Sequence, residues 1–178
     1  MPVLRTSALL AALLLALLPS ASRAQDQKDQ KGAGITMAAD ADAKDIGLPL
    51  YPGARRHKDK DSDSPGINFD LWGGGSGVKL AVLKLESDDS PEKIADYYKK
   101  KLSKYGKVLD CSHPTGNATD SNDNDDNKPL TCGSDKPEKN GLLFKSGTKS
   151  DQHLVSIEPN QTNNGSLFQL VHVAHWQK

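Results

Sequence analysis

The chain has 178 residues, and its 23 Lys and Arg balance 23 Asp and Glu, so the formal charge is zero. That balance excludes a general electrostatic pull on nucleic acid, and no polybasic stripe is present to dock on anionic lipid. At this length a single hydrophobic core accounts for most of the chain.

Arg5 precedes residues 8–18, a run of Ala and Leu only, which Pro19 breaks; Ser22, Arg23 and Ala24 then supply a small-residue cleavage pattern. This reads as an export signal cut after Ala24. The run is too short to cross about 30 Å of hydrocarbon, and no second one follows, so no membrane span is expected. Loss of Arg5 and Arg23 leaves a mature chain with a formal charge of minus two, expected in the periplasm or secreted. Neither cysteine directly follows the signal, which argues against lipid anchoring. Cys111 and Cys132 are an even pair bound for an oxidising space, and a disulfide between them is expected. Such a bridge is worth about 3 kcal/mol by loop closure. A zinc site from Cys111, His113 and Cys132 is the competing reading, but it lacks a CxxC pair and a fourth ligand.

Residues 25–45 are rich in Gln, Lys, Asp, Ala and Gly without apolar periodicity, the composition of a flexible lead-in. Order is expected from Ile46, where apolar residues alternate with turn formers through Ala54. Residues 67–72 alternate as a strand with Ile67, Phe69 and Leu71 on one face; the glycines from Gly73 to Gly77 read as a turn. Residues 78–85 resume as a second strand, apolar on both faces and so expected to be covered on both.

Ser90 as N-cap, Pro91 in the first turn and Gly106 as the stop enclose an amphipathic helix whose stripe is Ile94, Tyr98, Leu102 and Tyr105. Short strands are expected at residues 108–111 and 130–133, then at 142–145, 154–158 and 167–176. The polar loop from Asp120 to Asn127 is expected to be mobile. This order predicts an α+β domain over residues 46–178, a mostly antiparallel sheet with one main amphipathic helix packed on one face.

Asp59, Asp61, Asp63 and Asp70 occupy positions 1, 3, 5 and 12 of a calcium-loop template, but Ser64 replaces the turn glycine and a strand follows in place of a helix. A solvated acidic hairpin is the simpler reading. The glycine cluster leads into a strand, so it is not a phosphate cradle. His172 and His175 are three apart on a strand, fall on opposite faces and cannot chelate one ion together. His57 and His153 stand alone in the sequence, and no serine sits in a nucleophile motif. Sequons at Asn117, Asn160 and Asn164 are read as incidental in Asn-rich loops.

The segments Leu48-Pro49-Leu50-Tyr51-Pro52-Gly53-Ala54 and Ser90-Pro91-Glu92-Lys93-Ile94, with Tyr97-Tyr98 and Lys104-Tyr105-Gly106, resemble an uncharacterised bacterial family of exported proteins. Its members open on YPGA and carry an SPEK helix ending in a Tyr-Gly pair. The likeness continues through Cys111, Cys132 and residues 141–148. It implies kinship and export; the family has no established activity, so no functional residue carries over.

The sequence thus reads as an exported, non-catalytic binding module for an envelope component or ligand, with no catalytic, cofactor or metal residues assigned and its oligomeric state open. Two alternatives stand beside it: a hydrolase assembled around His153, His172 or His175, and a calcium-stabilised adhesion module using Asp59, Asp61, Asp63 and Asp70.

Overall fold

The computed structural model describes residues 32–60, 64–113, 130–138, 140–160 and 165–177. The expected signal, Asp61 and Asp63, the loop at residues 120–127, and Asn117 and Asn164 lie outside these. The elements in order are β1 (Gly34–Ala38), α1 (Ala43–Ile46), β2 (Arg55–Arg56), β3 (Gly66–Gly73), β4 (Ser76–Ser87), α2 (Pro91–Leu102), β5 (Leu109–Asp110), β6 (Leu142–Gly147), β7 (Asp151–Pro159) and β8 (Ser166–Trp176). All pairings are antiparallel, in the order β1-β3-β4-β8-β7-β6-β5, with β2 continuing along β4 where β3 ends. This is the α+β arrangement that the sequence predicts.

Order begins earlier than expected. Within the supposed lead-in, β1 pairs with β3, and α1 is fixed by a capping box in which Asp42 accepts from the amides of Lys44 and Asp45 while Asp45 accepts from the Asp42 amide. Both elements are too short to produce a periodic signal. Residues 130–133 form no strand: Asp135 N donates to Cys132 O at 3.0 Å in a turn, and Cys132 is bonded to Cys111 with Cα atoms 5.5 Å apart. Both thiols are thereby removed from the alternative zinc set.

Gly74 and Gly75 form the two-residue turn between β3 and β4 with φ of 61° and 89°, a left-handed pair that L side chains rarely adopt. Ser90 stands at the N-cap of α2 with extended backbone but makes no side-chain cap bond; Pro91 and the packing of the apolar stripe set this helix start. Ile94, Tyr98 and Leu102 are fully buried against Leu83, Leu85, Phe144, Val155, Ile157, Phe168 and Leu170. Each such side chain contributes about 1.5–3 kcal/mol by leaving water. Ile46 and Leu48 close one side of this layer, and Tyr98 Oη donates to Pro49 O at 3.1 Å.

The second face of the sheet departs from expectation. Cross-strand partners share a face, and the rows Ile35-Leu71-Val78, Met37-Phe69-Leu80-Val173 and Ile67-Val82-Val171-Leu154 all turn away from α2. None of these side chains is fully buried, and Ile35 and Met37 are each 67% exposed. The alternation in β4 places Ala81, Leu83 and Leu85 in the core, but the Val78, Leu80 and Val82 side stays open among the described residues.

Candidate functional site

At the end of the sheet beyond α2, strand register brings together residues that sequence spacing keeps apart. His153 on β7 lies directly opposite His172 on β8, and Asp151 precedes His153 by two, so all three project from the α2 side of the sheet. Tyr105, on the 3-10 turn Ser103–Tyr105 after α2, completes a stack of rings. Its centroid is 3.5 Å from that of His153, and the His153 and His172 centroids are 4.3 Å apart with planes inclined by 10°.

The stack is anchored by the end of α1. A helix end leaves carbonyls without intrahelical partners, and here three successive ones are taken up. Asp45 O faces His172 Nδ1 at 3.0 Å, Ile46 O faces His153 Nδ1 at 2.9 Å, and Gly47 O accepts from Tyr105 Oη at 2.5 Å. Lys104 Nζ also donates to Gly47 O, at 2.7 Å. Gly47 reaches this position with φ of 76°, the left-handed conformation that ends α1.

A carbonyl only accepts, so both Nδ1 atoms carry hydrogen and each Nε2 is turned the other way. Both point at Asp151. His172 Nε2 lies 2.8 Å and His153 Nε2 3.6 Å from the same oxygen, Asp151 Oδ1. His153 is buried, and burial, reinforced by the charge of His172, pushes its pKa from 6.5 down to about 4. Its ring is therefore neutral at neutral pH. Ser146 lies opposite His153 on β6, is fully buried, and its Oγ has no hydrogen-bond partner. Asn68 Oδ1, likewise unpartnered, occupies the same cross-strand row through Ala81 and His172.

The described residues place no side-chain nucleophile against these rings. His172 has its carboxylate, but among the described residues no serine, threonine or cysteine is hydrogen-bonded to His153 or His172, and the nearest hydroxyl in register, on Ser146, is sealed from substrate. His175 lies on the other face, opposite Val78, as its spacing from His172 requires.

The calcium template fares differently. Asp59 pairs with Lys84 and lies 3.6 Å from His57, whereas Asp70 sits opposite Lys79, five positions along β4 and so roughly 16 Å away. Asp59 and Asp70 are not brought together. Lys84 and the Arg55–Glu86–His57 group instead tie β2 and the following chain to β4. Comparison with protein-family models, curated proteins and solved structures finds no match to this chain. The reading of function rests on geometry.

The sequence places His172 on a strand but leaves His153 just ahead of the one expected at 154–158, and Asp151 escapes it altogether. The one local signal was Asp-x-His at a spacing of two, which puts both side chains on one strand face.

Proposed function

We propose that the protein is an exported, non-catalytic binding module whose docking surface is the open face of its sheet, and that the surface it meets is the same face of a second copy. The observation that carries this reading is the set of apolar rows running across β1, β3, β4, β8 and β7. Exposed apolar patches beyond a few hundred Å² mark interaction sites. The three rows together hold eleven apolar side chains, three or four to a row.

Charge favours a like partner. The lysines on this face, Lys84 and Lys145, are each paired within the chain, with Asp59 and Asp135, so neither brings an unpaired positive charge to the contact. A membrane surface would instead call for free cations. Two such sheets stack about 10 Å apart as a sandwich under two-fold symmetry. At one end of the face Leu71, Val78 and Val173 border a cleft of about 660 Å³, which the partner's side chains would fill. The Cys111–Cys132 bridge supports maturation in an oxidising compartment.

Sedimentation equilibrium of the purified, oxidised protein tests the reading. A concentration-dependent dimer is expected, and Leu71→Glu with Val78→Glu should return a folded monomer with unchanged circular dichroism. A wild-type monomer at high micromolar concentration, or a dimer indifferent to those changes, would overturn it. Export is tested by mass: protein recovered from the producing cells should begin at Gln25, and an uncut chain would contradict that.

A further inference from the structure

The Asp151, His153 and His172 cluster faces away from the proposed docking surface and poses a separate problem in hydrogen bonding. Both imidazoles spend their Nδ1 hydrogens on carbonyls, of Ile46 and Asp45, and both Nε2 atoms approach one carboxylate oxygen. Three acceptor atoms within 4.8 Å of one another repel unless something positive lies among them. A single proton on His172 Nε2 bridges to Asp151 but leaves the His153 lone pair, in a buried ring, facing the same carboxylate.

We propose that Asp151 Oδ1, His153 Nε2 and His172 Nε2 bind one divalent first-row transition-metal ion, with zinc as the type case. Two neutral imidazoles and a carboxylate are the donor set for such ions, whereas calcium and magnesium take oxygen ligands. The two separations from Asp151 Oδ1 fit directly. Ligand atoms at about 2.1 Å from one ion and 2.8 or 3.6 Å from each other subtend angles of about 85° to 120° at the metal. The near-parallel rings, with centroids 4.3 Å apart, must tilt so that their Nε2 ends draw together, pivoting on their Nδ1 bonds, for both lone pairs to converge.

The surroundings suit the role. Metal-bound histidines ordinarily hold their other nitrogen on a carbonyl or carboxylate, which fixes tautomer and orientation, and Asp45 O and Ile46 O do this here. Tyr105 supports the His153 ring from behind. Asp151 is exposed and His172 partly so, which leaves a path for entry and room for water on the open side of the ion.

The test uses the full, oxidised protein. Calorimetric titration with zinc should show one equivalent per chain, and cobalt in its place should give a visible ligand-field band. In nitrogen-detected imidazole spectra, Nε2 of both His153 and His172 should shift while both Nδ1 atoms keep their hydrogens. Asp151→Asn alters an exposed side chain and should leave the fold intact, yet weaken binding by at least about tenfold. His172→Ala should abolish it. Calcium in excess should neither bind nor compete. No zinc binding up to millimolar concentration, or binding equally tight in Asp151→Asn and His172→Ala, would overturn the assignment.

Discussion

Asp151 owes its position to a glycine. Gly147 ends β6 with φ of 121°, and a Cβ built there would collide with Asp151 O, a backbone atom that cannot step aside without moving the hairpin. Gly147→Ala should therefore cost at least about 2 kcal/mol in chemical denaturation and weaken metal binding together, because strain and displacement act on the same turn. A variant as stable as the wild type would show that the turn is softer than its geometry implies. Glu86 gives a pH-dependent test at the other end of β4. His57 and then Arg55 hold its carboxyl below the usual 4.5 by hydrogen bonding. A carboxyl depressed on folding contributes stability above its unfolded pKa and loses it as pH falls through the lower, folded one. Glu86→Gln should thus lose on the order of 0.5 kcal/mol at pH 7 and nothing once wild-type Glu86 is protonated. A difference that persisted at pH 2 would place its origin in packing.

Helix α2 was the most legible element, since Pro91, the spacing of Ile94, Tyr98 and Leu102, and the Gly106 stop each state a physical requirement within one turn of chain. Ile94→Ala should cost about 2–5 kcal/mol, as for other large-to-small changes in a closed core. The β3–β4 hairpin was equally plain from its glycines. By contrast β1 and α1 have too few residues for periodicity, and β1 exists because Ile35 and Met37 find Leu71 and Phe69 on a strand over thirty residues away. The disulfide was legible from parity and address, while the strand expected at Cys132 was not there, since the covalent tie positions that segment without a ladder. Its worth is measurable: replacing Cys111 and Cys132 together by Ser should lower stability by about 3 kcal/mol. No change would mean that the loop it closes is already confined in the unfolded chain.

The described residues form a sheet with two unequal faces, and the difference between them is what sequence could least reveal. Val78, Leu80 and Val82 alternate with Ala81, Leu83 and Leu85, and both sets are apolar, so the pattern states that each face shuns water but not what covers it. One helix suffices for one side, and the chain spends that helix on the Leu83 side. The pairing of His153 with His172 is hidden for a related reason, because register between β7 and β8 is fixed by their whole length and no residue near either histidine encodes it. The proposed dimer closes the open face of the sheet against a second copy. Isotope-filtered NOE spectra on a mixture of labelled and unlabelled protein test it most directly: contacts between chains should run among the methyl groups of Leu71, Val78, Val173 and Ile67, and contacts arising from α2, or none at all at millimolar concentration, would contradict it.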